Sequence, residues 1–90
     1  MYRVRLLIHG RVQGVGFRHF VLHRARELGL DGMVRNRPDG TVEVEAEGEA
    51  AKLRELVETV REGPPGARVS RIEDTWSEDA PHHQGFKIGI

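Results

Sequence analysis

The stretch Ile8-His9-Gly10-Arg11-Val12-Gln13-Gly14-Val15-Gly16-Phe17-Arg18 decides how this chain is organised, because its hydrophobic period changes midway. Upstream, Tyr2, Val4, Leu6 and Ile8 alternate with Arg3, Arg5, Leu7 and His9, the period of two expected of a strand with one buried face. Downstream, Phe17, Phe20, Val21, Ala25 and Leu28 recur at helical spacing, and Gly29 stands where the helix should stop. Between them Gly10, Gly14 and Gly16 let the backbone turn tightly and aim several N–H groups at one point. The helix start adds its unsatisfied first-turn donors and the positive end of its dipole. Strand, glycine loop and helix together predict a cradle for a small anion.

Outward from this unit, Leu30 to Arg37 reads as a second strand, with Leu30, Val34 and Asn36 on one face and Met33, Arg35 and Arg37 on the other. Asn36 is therefore expected at the end of the core-side face. Pro38-Asp39-Gly40 is a turn, after which Val42, Val44 and Ala46 alternate with Glu43, Glu45 and Glu47 in a third strand, completing a hairpin. Ala50, Leu53, Leu56, Val57 and Val60 form a second amphipathic helix, closed by Gly63 and Pro64-Pro65. Val69 to Trp76 is a weaker strand whose alternation slips, as at a bulge or an edge. Ser77 to Gln84 reads as a polar loop, and Phe86, Ile88 and Ile90 as a short last strand.

Strand, helix, hairpin, helix, strand, strand is the order of a ferredoxin-like α+β sandwich, an antiparallel or mixed sheet with two helices on one face and the first and third strands adjacent. Charge favours that pairing: Arg3 and Arg5 would share the outer face with Glu43 and Glu45, each cross-strand pair worth about 0.2–1 kcal/mol. No repeat, linker or low-complexity segment interrupts the chain, so residues 1–90 are expected to form one domain.

The segment from Ile8 to Arg18 resembles the first motif of the acylphosphatases, and Gly32-Met33-Val34-Arg35-Asn36-Arg37-Pro38-Asp39-Gly40-Thr41-Val42, continuing to Gly48, resembles the second. The resemblance covers essentially the whole chain. It implies that Arg18 and Asn36 are the catalytic pair, that Gln13, Gly14, Val15, Gly16, Phe17 and Arg18 bind the substrate, and that an acyl phosphate is hydrolysed to a carboxylate and inorganic phosphate. Met33 stands where the family usually has an aromatic residue, a departure in packing rather than in chemistry.

Composition limits the alternatives. Fourteen basic and fourteen acidic residues cancel, so no global field draws the chain to nucleic acid or an acidic membrane, and anion recognition has to be local. No apolar run approaches the ~20 residues of a membrane span, and the Met-Tyr-Arg-Val start lacks a signal-peptide layout. A cytoplasmic monomer is expected, and the start at Met1 with an end just after an apolar strand suggests a complete small enzyme. Cysteine is absent, which excludes a thiol nucleophile and a disulfide framework. Twelve of the fourteen basic residues are arginine, and side-chain amides occur only at Gln13, Asn36 and Gln84, a composition that suits heat stability and that base composition of a genome could also produce.

Each candidate has a plainer reading. A tight strand-to-helix turn needs glycine with or without a ligand, and Arg18 alone could be a surface residue paired with an acid. Its position argues otherwise, because an arginine in the first helical turn is misplaced beside the positive dipole end unless an anion compensates it. Dinucleotide and nucleoside triphosphate motifs fail: Gly14-Val15-Gly16-Phe17-Arg18-His19 lacks a third glycine, and no Gly-Lys-Ser or Gly-Lys-Thr occurs. Asn36 could simply satisfy local backbone, yet core-side placement leaves an amide in need of partners, and its carbonyl can orient a water. Gln13 reads as a brace of the loop. His19 and His23 have the i,i+4 spacing of zinc ligands but lack a glutamate between them and a third ligand, so no metal and no cofactor is expected.

The absence of a general acid fits a leaving group of low basicity. The carboxylate of an acyl phosphate departs without protonation, so alignment of water and stabilisation of charge suffice. RNA binding on the sheet is disfavoured by Glu43, Glu45 and Glu47 facing outward. The remaining alternative is a noncatalytic anion-sensing or carbamoyl-phosphate-handling module. A last expectation concerns Ile90, whose terminal carboxylate could reach Arg18 and compete with phosphate for it.

Overall fold

A computed structural model describes residues 1–78 and 81–89. Five strands, β1 (Tyr2–Arg11), β2 (Asp31–Asn36), β3 (Val42–Gly48), β4 (Arg68–Ser77) and β5 (Phe86–Ile88), form one sheet in the order β4-β1-β3-β2-β5. Every neighbour pair is antiparallel except β2 with β5, which are parallel, so the sheet is mixed. Helix α1 (Phe17–Glu27) packs over β2 and β5, and α2 (Ala50–Glu62) over β1, β3 and β4. This is the ferredoxin-like sandwich that the element order implied.

The core lies between sheet and helices. Val4, Leu6, Ile8, Val34, Val42, Val44 and Ala46 supply the sheet side, and Phe17, Val21, Ala25, Leu53, Leu56 and Val60 the helix side. Helix α1 stops as its sequence requires: Gly29 takes φ 70°, Leu30 N–H reaches Ala25 O at 2.9 Å and Gly29 N–H reaches Arg26 O at 3.1 Å, which satisfies two terminal carbonyls. Leu30 thus belongs to the helix stop, and β2 starts one residue later than the hydrophobic pattern indicated.

The slipped alternation of β4 has both causes at once. The strand is a sheet edge, and its register against β1 shifts between His9 and Gly10, which face Arg71 and Val69, so Ser70 has no partner. That extra residue resets the parity, and Val69 and Ile72, three apart, both pack against the core.

The outer face of the sheet carries opposite charges across β1 and β3 as expected, and its carboxylates are covered more deeply than alternation alone indicated. Glu43 and Glu47 point outward yet are 3% and 1% exposed. Arg5 and Arg35 cover Glu43, each with Nε 2.6 Å from a carboxylate oxygen, while the backbone N–H groups of His82 and His83 donate to Glu47 at 2.8 and 3.0 Å. Arg5 reaches Glu43 diagonally, since its direct register partner is Glu45. Glu45 bonds the His83 ring at 2.9 Å.

Candidate active site

Strands β1 and β2 run parallel with β3 between them, and Val42 faces Ile8 on one side and Asn36 on the other. The glycine loop leaving β1 and the end of β2 therefore meet at one end of the sheet. The loop is pinned by Val12 and Phe17, 1% and 2% exposed. Gly14 and Gly16 take φ 75° and 77°, and a Cβ on either would meet nothing within 4 Å, so the left-handed dihedral rather than crowding calls for glycine.

Gly16 is the N-cap of α1, and its carbonyl accepts the Phe20 N–H at 3.1 Å. No side chain caps the helix, and its first turn holds no acidic residue. The amides of Phe17, Arg18 and His19 precede the first intrahelical bond and point their partial positive charge outward. Arg18 is half-buried, and among the described residues no hydrogen bond or ion pair engages it. Ile90, and with it the expected contact of its carboxylate with Arg18, lies outside the described residues.

Gln13 joins the loop to the hairpin. Its Nε2 donates to Arg37 O at 2.8 Å and to Thr41 O at 2.9 Å, one carbonyl on each side of the β2–β3 turn. The turn is itself closed by Arg37 N–H to Thr41 O at 2.9 Å and by Asp39 Oδ1, which accepts from Thr41 Oγ1 at 2.6 Å and Thr41 N–H at 3.0 Å. Those bonds from Thr41, the hydroxyl first, hold the Asp39 carboxyl below the ordinary carboxylate range, with Arg37 and His9 adding charge attraction. On the same end of the outer face, His9 Nε2 lies 2.6 Å from Glu73 Oε2, and that bond holds the Glu73 carboxyl low.

Asn36 supplies the unusual atom. The residue is half-buried, its Oδ1 is fully buried, and that oxygen accepts no hydrogen bond among the described residues. A desolvated amide carbonyl without a partner is uncommon in a folded protein and marks a place where a polar molecule can bind. Arg37 beside it has a buried Nε 3.6 Å from Asp39 Oδ2, too long for a hydrogen bond.

Other surfaces offer less. A depression between α1 and α2, lined by Arg24, Arg54, Glu55, Glu58 and Thr59 among others, shares no residue with the loop, and Arg24 is already engaged there by Thr59 Oγ1 at 3.1 Å. Among the described residues no three histidine, aspartate or glutamate side chains are grouped to hold a metal ion. The sequence made the glycine loop and Asn36 visible, but the two carbonyls that receive Gln13 become neighbours only when β2 and β3 pair beside β1. No local signal points to them.

The acylphosphatase family model matches residues 4–88. The acylphosphatase of Salinibacter ruber is 50% identical over 86 residues, covering 96% of this chain and 90% of its own length. That of Thermococcus kodakarensis is 49% identical over 86 residues, 96% of this chain and 93% of its own. The crystal structure of the acylphosphatase from Bacillus subtilis agrees with a TM-score of 0.97 at 43% identity, over 100% of both chains. With relatives matched over nearly their whole length, the noncatalytic alternative is not favoured. The chain belongs to the acylphosphatase family and hydrolyses acyl phosphates to a carboxylate and inorganic phosphate.

Proposed function

We propose that the phosphoryl group rests on the backbone amides from Gln13 to Arg18, that the Arg18 guanidinium clamps it, and that Asn36 Oδ1 orients the attacking water. The observation that carries this reading is the buried, unpartnered Asn36 Oδ1 at the same end of the sheet as the uncapped start of α1. Helical side chains lean toward the N-terminus, so a guanidinium at Arg18 can fold back over the loop and grip two phosphoryl oxygens.

The water oxygen attacks phosphorus in line with the acyl oxygen, the bond from phosphorus to that oxygen breaks, and its electron pair leaves with the carboxylate. The proton of the water remains with the phosphate product or passes to solvent. Asn36 is no base; its amide carbonyl accepts one water hydrogen and turns a lone pair toward phosphorus. Loop amides and Arg18 stabilise the charge spreading over the phosphoryl oxygens.

The test is turnover of benzoyl phosphate by the purified chain, with and without chelator, alongside phosphate titration followed by amide NMR. Shifts should appear first from Gln13 to Arg18; shifts confined to another surface contradict the assignment. We also infer one domain over residues 1–90 acting as a cytoplasmic monomer without nucleic-acid or membrane partners; the zero net charge supports the lack of a nucleic-acid or acidic-membrane partner, and among the described residues no helix is long and apolar enough to cross a membrane. Heat stability is supported by arginine-centred ion pairs such as Arg5 and Arg35 on Glu43, and a thermal melt tests it.

A further inference from the structure

Resting on that reading, we infer that Gln13 is a positioning residue for hydrolysis: its side-chain amide, held between Arg37 O and Thr41 O, fixes the phosphate-binding loop at the separation from Asn36 that in-line attack requires.

Both hydrogens of the Gln13 amide nitrogen are used, at 2.8 and 2.9 Å, and both acceptors are main-chain atoms that cannot swing away. Arg37 follows Asn36 directly, so the bond to Arg37 O fixes the backbone next to the water-orienting residue. Thr41 O is held in place independently, by Arg37 N–H and by the bonds of Thr41 to Asp39. In the middle of the loop Gly14 and Gly16 have no side chains and open space where one would be, and Val15, partly buried against the core, holds the loop by apolar contact, which does not fix its distance from the turn. Val12 and Phe17 anchor only its two ends. Gln13 alone of the loop residues sends a hydrogen-bonding side chain across to the turn among the described residues.

The chemistry demands an uncharged double donor of this length. Asparagine is one methylene short, and glutamate would aim acceptors at acceptors. A misplacement of ~1 Å between reacting groups costs about 10²-fold in rate, whereas backbone donors on a slightly displaced loop still bind an anion. Gln13 therefore acts on kcat through Asn36 rather than on phosphate affinity.

Four proteins test this: the parent, Gln13→Ala, Asn36→Ala and the double variant, each measured for benzoyl phosphate kcat and for competitive inhibition by inorganic phosphate. Gln13→Ala should lose about 10–100-fold in kcat with less than about 3-fold change in phosphate affinity, and on the Asn36→Ala background the same change should cost less than about 3-fold. Unchanged kcat in a folded Gln13→Ala, a parallel fall in kcat and phosphate affinity, or a full additional loss in the double variant overturns the inference. Full activity of Asn36→Ala alone overturns instead the reading beneath it, a distinguishable result. If Gln13→Ala does not fold, Gln13→Glu decides: its activity relative to the parent at the same pH should rise as pH falls, because the protonated carboxyl can donate one hydrogen bond to one of the two carbonyls. A flat relative pH profile overturns the inference.

Discussion

Glu43 and Arg35 sit directly opposite each other on β3 and β2, and the guanidinium donates from Nε to Glu43 Oε1 at 2.6 Å. Arg5 donates to the other carboxylate oxygen at the same distance from the opposite side. Burial alone would push the Glu43 carboxyl up, but hydrogen bonds from Arg35 and then Arg5, with their charges, outweigh it and hold the group below its ordinary 4.5. The folded state therefore binds the proton less readily than the unfolded one. Its stabilising contribution is complete above the unfolded value and is lost as pH falls below 4.5 through the folded value. Glu43→Gln should lower stability by about 1–3 kcal/mol near neutrality, reduced from the cost of a fully buried pair because both arginines are partly in water. Melts of parent and variant from about pH 6 down to about pH 3 should converge, and a constant difference across that range would contradict the linkage.

Gly10 and Gly14 are expected to behave differently although both carry positive φ. Gly10 has φ 126°, and a Cβ there would lie 2.0 Å from Arg68 O, a backbone atom of the bulged edge. Gly14 has φ 75° and open space. Gly10→Ala should cost about 2–4 kcal/mol, through strain together with displacement of β4, while Gly14→Ala should cost only about 1–2 kcal/mol through its dihedral. Denaturant unfolding of the two variants tests the order, and equal costs would mean that β4 yields easily.

The same residues explain what could be read in the sequence. Periods of two and 3.6 placed every element because core contacts repeat along the chain, and Gly29 and Gly63 marked helix ends for reasons local to the backbone. The bulge left a trace in β4, since Val69 and Ile72 cannot share a face of a regular strand. The outward direction of Glu43 and Glu47 and an arginine partner from β1 were legible, but the depth of cover was not, because alternation reports direction alone: Arg35 and the backbone at His82 and His83 join Arg5 from positions that no local pattern links. At the site, Arg18 and Asn36 stood out by type and position, and the role of Gln13 needed its acceptors.

Arg18→Ala should weaken phosphate binding and remove most turnover together, because the clamp proposed for its guanidinium would hold the same phosphoryl oxygens in the ground and transition states. The fold should persist, since Arg18 has no hydrogen bond or ion pair among the described residues to lose. Removing a positive charge from the first turn of α1 relieves an unfavourable dipole interaction worth about 0.3–1 kcal/mol, so the melting temperature should hold or rise slightly. Competitive inhibition by phosphate, kcat/KM and a thermal melt on one preparation are sufficient. Near-normal turnover would remove Arg18 from the mechanism.

Asn36→Ala should separate binding from turnover in the opposite sense, keeping phosphate affinity near that of the parent while hydrolysis falls. Deleting one preorganised polar group costs on the order of 10²–10³-fold, or ~3–4 kcal/mol of transition-state stabilisation. Stability should not follow activity down. Removing a satisfied buried amide leaves its partners unpaired at a cost of about 1–3 kcal/mol, but Asn36 Oδ1 is buried with no hydrogen-bond partner among the described residues, so folding already bears its desolvation. Truncation removes that burden, and the variant should melt at or above the temperature of the parent. A function-specific residue that costs stability is what a water-orienting group would be. A marked fall in melting temperature would mean that the amide serves the hairpin, and unchanged kcat in a folded variant would mean that the water is aligned by something else.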